Sequence, residues 1–175
     1  MKARYVVDTN VLIAASAADP KHPKDIDATP EDPKLRKTVW EWLYKFEQSD
    51  SRLVLDGDGR IYEEYNSKLG FNDYGIQVVL HKWSTASVDD VDIEYDADGY
   101  GVLPETLAAV VHDFADRKMV AAALAAHAMF GECCIAFAGD TDWHDWEDAL
   151  TAHEMQLEPI IEAWSRQKHA AKQRR

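Results

Sequence analysis

Cysteine is scarce in this chain: only two of its 175 residues are cysteines, and they are neighbours, Cys133 and Cys134. Adjacent residues of a strand point to opposite faces of a sheet, so these two thiols are poorly placed to bridge each other. Their spacing also matches no cysteine-based metal site. Free buried thiols are typical of a reducing compartment, and the N-terminus shows no apolar leader. The sequence therefore predicts a cytoplasmic protein.

Long hydrophobic runs and a surplus of positive charge are missing as well. No segment approaches the roughly 20 apolar residues that span a bilayer, so we expect no membrane partner. The formal net charge of −13 argues against a protein whose whole surface grips nucleic acid through basic side chains. A nuclease is still allowed, because bound metal ions invert the sign of an acidic site. Positive charge gathers in residues 166–175, a basic tail that either touches a phosphate backbone or ends a solvated helix.

The remaining composition supports one folded domain, which we place at residues 1–165. Hydrophobic residues make up 46% of the chain, enough for a sizeable core. Short apolar runs alternate with segments of helical periodicity, an order that predicts crossover connections and a parallel α/β sheet. Strands are predicted at residues 4–7, 52–55, 132–139 and 156–160, with a short strand or loop in 88–103. Helices are predicted at residues 11–18, 34–48, 61–69, 71–83, 105–114, 116–130, 141–155 and 161–173.

Four carboxylates lie where such a fold would bring them together. Asp8 and Asp140 each come directly after a predicted strand, and ligands of open parallel sheets bind at the carboxyl ends of the strands. Glu64 and Asp116 lie on helices that would pack beside those strands. The alternative is that the aspartates only cap the helices that follow them, since Asp is a good N-cap residue. Glu63 and Asp113 remain open as substitutes for Glu64 and Asp116.

Acidic side chains brought together in this way repel one another unless a cation lies among them. Carboxylate oxygens suit a hard divalent ion such as Mg²⁺ or Mn²⁺. One or two such ions, held with open positions, activate water and stabilise the charge that develops during phosphodiester hydrolysis. Thr9, Asn10 and Thr141 could orient water, contact phosphate or cap helices. Asp142 could bind a metal or cap the helix that begins at Trp143.

The same residues resemble the pattern of the PIN-domain nucleases. In that family the first strand ends in an Asp followed by Thr or Ser and Asn, as in VVDTNVLIAA. A Glu then follows on a helix, as in IYEEYNSKL, and a third acid opens a helix, as in DRKMVAAALA. A strand finally leads into a Gly-Asp-x-Asp signature, as in IAFAGDTDW. The resemblance extends from Val6 to about Ile160, and its first and last motifs are the more specific ones.

The resemblance implies a three-layer α/β/α sandwich and a Mg²⁺- or Mn²⁺-dependent endoribonuclease that cuts single-stranded RNA. It carries the catalytic and metal-binding roles over to Asp8, Glu64, Asp116 and Asp140, with Asp142 as an auxiliary. Many small prokaryotic members are toxins of toxin–antitoxin pairs and form homodimers, so an antitoxin partner and a dimer are implied too. DNA stays possible as a substrate. The segments 18–33 and 88–98 look like enlargements of the compact toxin pattern, a departure that bears on the toxin role and the partner rather than on the nuclease site.

Two other classes compete with the nuclease. A PIN-like module that has lost activity would bind RNA or a protein without cutting. A phosphatase with an aspartyl nucleophile would need a second Asp two residues after Asp8, where this chain has Asn10. Trp143 has two alternative roles. It could stack on a base, but core packing or an oligomer interface is the more common role of a tryptophan.

Overall fold

A computed structural model describes residues 1–19 and 26–174 of the chain. The strands of the described part are β1 Arg4–Val7, β2 Arg52–Asp56, β3 Val88–Val91, β4 Cys134–Phe137 and β5 Gln156–Pro159. Its helices are α1 Thr9–Ala18, α2 Pro33–Gln48, α3 Arg60–Lys68, α4 Tyr74–Ser84, α5 Glu105–Ala108, α6 Arg117–Phe130, α7 Trp143–Ala152 and α8 Glu162–Gln173.

The strands form one parallel sheet in the order β3-β2-β1-β4-β5. Helices connect successive strands, because a parallel pair needs a crossover rather than a tight turn. The parallel α/β class is confirmed, and the arrangement is that of a three-layer α/β/α sandwich. Among the described helices, none combines the length and apolar character that crossing a bilayer requires.

The central strands are buried along nearly their whole length, as their sequences predict. All four residues of β4 are buried, and in β1 the three residues from Tyr5 to Val7 have no exposed surface. Val6 lies opposite Ile135 in the register of the two strands. A strand covered by helices on both faces needs apolar side chains at every position rather than at alternate ones. This explains the unbroken apolar run of β4.

The strand order creates a crevice next to β1. From β1 the chain moves outward to β2 and β3, and it then crosses back to place β4 on the other side of β1. The connections leaving β1 and β4 therefore diverge at the carboxyl edge of the sheet. Such a topological switch point is where open α/β sheets bind ligands. The residues that follow β1 and β4 are the ones placed there.

Some local expectations were wrong. The first helix begins at Thr9 with Asp8 as its N-cap, so neither Thr9 nor Asn10 caps it. The helix predicted at residues 105–114 is only the single turn α5, followed by turns. Part of the segment 18–33, which the sequence predicts to be a loop, lies outside the described residues, namely residues 20–25.

Other choices that the sequence left open are settled by the packing. The segment 88–103 contains β3 and an isolated bridge between Tyr95 and Gly101. Trp143 has no exposed surface and packs against Phe137 and Trp146. Trp143 is therefore a core residue, because a fully buried indole cannot stack on a base.

The basic C-terminal segment is helical in its described part. Arg166 bonds to Glu147 of α7 and to Glu162 of its own helix, and Lys172 pairs with Asp142. These contacts dock α8 on α7 over most of residues 166–173. Arg166 and Lys172 therefore neutralise carboxylates of the same chain, which leaves less of their charge for a phosphate backbone.

Candidate functional site

Asp8 is the most deeply buried acid at the crevice, with only 2% of its surface exposed. Its backbone N–H donates to Ala136 O of β4 at 2.9 Å, which fixes the residue between the two strands. Its Oδ1 accepts a long bond of 3.3 Å from the Asn10 N–H. Its Oδ2 is buried without a partner at hydrogen-bond distance; the Trp143 indole N–H, which is also buried and without a partner, faces the carboxylate and lowers its pKa only as the smallest contribution. Burial, followed by the charge of Asp140, raises the pKa of Asp8 to about 8.

Asp140 approaches Asp8 from the end of β4. The turn before it needs glycine, because a Cβ on Gly139 would overlap the carbonyl group of Thr29. The Asp140 Oδ1 accepts from the Asp142 N–H at 2.9 Å. Burial raises the pKa of Asp140 as well, and the nearby Asp142 and Asp113 charges act in the same direction.

Asp116 is carried by a different part of the chain and lies immediately before α6. It is 8% exposed and its side chain makes no capping bond to α6, so the interpretation of Asp116 as a mere cap is wrong. Burial, followed by the charges of Asp8 and Asp140, raises the pKa of Asp116 to about 9. The three aspartates therefore lie close enough to oppose one another's ionisation.

Glu64 completes the set from α3, but it differs from the three aspartates because it already has polar partners. The Thr9 hydroxyl donates to Glu64 Oε1. The Lys118 ammonium lies 2.5 Å from Glu64 Oε2. Lys118 is thus a cation that the protein itself supplies to the acidic group, and nothing in its sequence context predicted that role.

These residues line one cleft of about 370 Å³ at the carboxyl edge of the sheet. The structure therefore brings together the four acids that the sequence singled out, together with Thr9 and Asn10. It also adds Asp113 beside Asp116, whereas the neighbouring Glu63 is exposed and lies outside the lining. The lining residues of the cleft are Asp8, Thr9, Asn10, Ile13, Glu64, Lys68, Asp113, Ala115, Asp116 and Asp140.

Thr141 and Asp142 lie away from this lining. Thr141 is buried and borders a separate recess with Lys168 and Lys172 of α8. The Asp142 carboxylate pairs with Lys172, and only its backbone N–H reaches Asp140. Asp142 therefore supports the position of Asp140 and does not supply a carboxylate to the cleft. The sequence could not foresee this, because the docking of α8 decides where Asp142 points.

The donor atoms of the cleft suit a hard divalent cation. Asp8 Oδ2 has no hydrogen-bond partner, and burial together with neighbouring carboxylates raises the pKa of all three aspartates. A cation placed among them would favour their ionised forms. In the described residues, however, no three Asp, Glu, His or Cys side chains are already arranged to hold one ion. The chemistry of the site fits Mg²⁺ or Mn²⁺, but the ligands would have to move to enclose it.

Comparisons of the chain with models of protein families, with curated proteins and with solved structures found no match. The functional argument therefore depends on the geometry of this cleft and on the motifs of the sequence.

Proposed function

We propose that this chain is a Mg²⁺- or Mn²⁺-dependent endonuclease that hydrolyses phosphodiester bonds of single-stranded RNA. The observation that carries the proposal is Asp8 Oδ2, a buried carboxylate oxygen without a hydrogen-bond partner. It belongs to a residue that shares a cleft with four further carboxylates, those of Glu64, Asp113, Asp116 and Asp140. Such an oxygen is stabilised by a proton or by a cation, and burial of an unpaired charge is otherwise costly.

The residues that would hold the ion are Asp8, Glu64, Asp116 and Asp140. When bound, it would supply an activated water and neutralise charge on the phosphate. The protein's own groups contribute the rest. The Thr9 hydroxyl holds Glu64 in place, and Lys68 adds a positive charge to the lining, which favours entry of a phosphodiester.

The choice of single-stranded RNA and of the PIN-like family rests on the sequence motifs. The strand order supports this choice in one respect. The first and last motifs, at Asp8 and Asp140, both follow strands that border the same crevice. A cytoplasmic location, a homodimer and a toxin role with an antitoxin partner belong to the same proposal. DNA is the alternative substrate.

Two observations favour a second candidate, a PIN-like module that binds RNA or protein without cutting it. Among the described residues no three ligands are preassembled, and Lys118 already neutralises Glu64. A protein that had lost its metal would be expected to fill the acidic site with a side-chain cation in this way. Metal titration separates the two candidates, because the inert module should show no Mn²⁺ binding at the cleft.

The test is incubation of the protein with an end-labelled single-stranded RNA pool in Mg²⁺, Mn²⁺ or EDTA, with a single-stranded DNA pool in parallel. We expect internal cleavage of RNA that depends on the metal. Glu64→Gln and Glu63→Gln form a matched pair, because the two glutamates are adjacent and only Glu64 lines the cleft. Loss of cleavage in Glu64→Gln but not in Glu63→Gln supports the proposal, whereas equal activity of both variants contradicts it.

A further inference from the structure

Two exposed aromatic rings lie together close to the acidic cleft. Tyr100 is 39% exposed and Phe114 is 49% exposed, and their ring centroids are 5.1 Å apart with the planes tilted by 40°. The guanidinium carbon of Arg117 lies 4.2 Å from the centre of the Phe114 ring. Arg117 is itself held by the carbonyl oxygens of Val111 and Ala108. The result is a group of planar side chains at the surface, with a fixed positive charge.

The loop that carries Tyr100 is closed on itself. Its bridge joins Tyr95 to Gly101, and the Asp96 N–H donates to Tyr100 O at 2.9 Å. Gly101 packs directly on the start of α6, where an added Cβ would lie 2.8 Å from Lys118 Cα. Only glycine allows the loop to approach the helix so closely.

Side chains from α3 and β2 also contact this loop and fix its position. The Arg60 guanidinium donates to Gly99 O at 2.9 Å and lies over the Tyr95 ring. The Tyr95 hydroxyl donates to Asp56 at the end of β2. The position of Tyr100 is therefore tied to the sheet rather than left to a free loop, and the two rings are presented in a set geometry.

Between the rings and the start of α6 there is a recess of about 160 Å³. It is smaller than the several hundred cubic ångströms that enclose a drug-sized ligand, so it suits a single flat ring system. Ala115 lines both this recess and the acidic cleft, and Lys118, which also lines the recess, reaches Glu64. The recess and the cleft are thus adjoining parts of one surface.

We propose that the recess bounded by the Tyr100 and Phe114 rings and the start of α6 binds one unpaired base of a single-stranded nucleic acid whose neighbouring phosphate lies at the carboxylate cleft. This inference rests on the proposed nuclease function and gives it a substrate contact. Aromatic side chains bind bases by stacking without requiring a particular sequence, and a duplex does not present a base in that way. The recess therefore selects unpaired strands over duplexes.

The test is the affinity of the full chain for a fluorescent single-stranded RNA oligomer in EDTA, where a metal-dependent enzyme does not cut. We expect Tyr100→Ala and Phe114→Ala each to weaken binding by about tenfold, the effect typical of one stacked base. Tyr100→Phe should bind like the wild type, because it keeps the ring. Tyr44→Ala is the matched control: Tyr44 is 46% exposed, near the end of α2 that leads to the amino edge of the sheet.

A second probe replaces single nucleotides of the oligomer by abasic sites. If a base occupies the recess, an abasic site should weaken binding to the wild type and should have no further effect on Phe114→Ala, since the contact is already lost. Wild-type affinity in both alanine variants would overturn the base site and leave the nuclease proposal standing. Binding that depends on the two rings, without any cleavage in Mn²⁺, would support the base site and overturn the nuclease. A wild type that binds no RNA would overturn both.

Discussion

Two aspartates end neighbouring strands of the sheet, and their surroundings are opposite. Asp56, at the end of β2, is 1% exposed and accepts bonds from the Arg60 N–H at 2.9 Å, the Ile61 N–H at 2.7 Å and the Tyr95 hydroxyl at 2.8 Å. Asp8, after β1, is equally buried but has one long bond and one oxygen without a partner.

The difference separates two uses of the same residue type. The Asp56 carboxylate satisfies the first N–H groups of α3 and anchors a loop, so it stabilises the fold. Asp8 lies among other carboxylates, and the fold supplies few hydrogen bonds that would stabilise its ionised form. A buried charge that its surroundings do not stabilise is a mark of a functional site. Substitutions at the two positions should therefore have opposite effects. A change at Asp8 should lower activity but not stability, and a change at Asp56 should lower stability far more than activity.

The largest expected effect is on catalysis at Asp8. Asp8→Asn should lower Mn²⁺-dependent RNA cleavage by more than about a hundredfold, because losing a direct ligand costs more than losing a residue that only orients one. The melting temperature should not fall, since the substitution removes an acid whose ionisation is already opposed by burial and by the neighbouring carboxylates. Cleavage assays and thermal melts on the same preparation check both statements. Full activity in a folded Asp8→Asn protein would contradict the role given to Asp8.

The next effect is on stability at Asp56. Asp56→Ala should lower the free energy of unfolding by about 2–4 kcal/mol, because buried donors lose their acceptor. Urea denaturation in EDTA measures the change, and Asp58→Ala, at an exposed position two residues later, is the control. Cleavage per folded molecule should change far less than in Asp8→Asn. A neutral effect of Asp56→Ala on stability would remove the contrast between the two acids.

A third effect concerns pH. An unfolded aspartate loses its proton near pH 4, whereas the pKa is about 8 for folded Asp8 and about 9 for folded Asp116. Between those limits the folded state binds more protons than the unfolded state. Stability of the metal-free protein should therefore fall as the pH rises from 7 to 9 and level off above the folded pKa values.

Each proton of difference contributes about 1.4 kcal/mol per pH unit, so urea denaturation at pH 7, 8 and 9 in EDTA can detect the trend. Asp8→Asn should flatten the curve, and Asp56→Asn should leave its slope unchanged. A metal-free protein whose stability rises over this range would show that the carboxylates of the cleft do not oppose one another.

The sequence predicted the sheet and the acids of the cleft for a physical reason. Continuous apolar runs predict buried parallel strands, and a residue that follows such a strand must emerge at the carboxyl edge, as Asp8 and Asp140 do. The role of Asp56 was missed because the predicted strand ended at residue 55, which left Asp56 in the glycine-rich connection DGDG. An aspartate in such a connection can also cap the next helix. Lys118 was missed because the direction of a long side chain depends on tertiary neighbours such as Glu64.

The smallest predicted effect concerns Lys118, whose role the sequence did not predict. If Lys118 holds Glu64 as a side-chain cation when no metal is bound, Lys118→Met should raise Mn²⁺ affinity by about five- to tenfold, equivalent to the order of 1 kcal/mol typical of a partly exposed ion pair. Calorimetric Mn²⁺ titration measures it without any need for substrate. Lys68→Met is the matched control, because Lys68 lines the same cleft but Lys118 is the lysine that pairs with Glu64. If Lys118→Met leaves Mn²⁺ affinity unchanged while cleavage is lost, Lys118 acts on the substrate and does not compete with the metal.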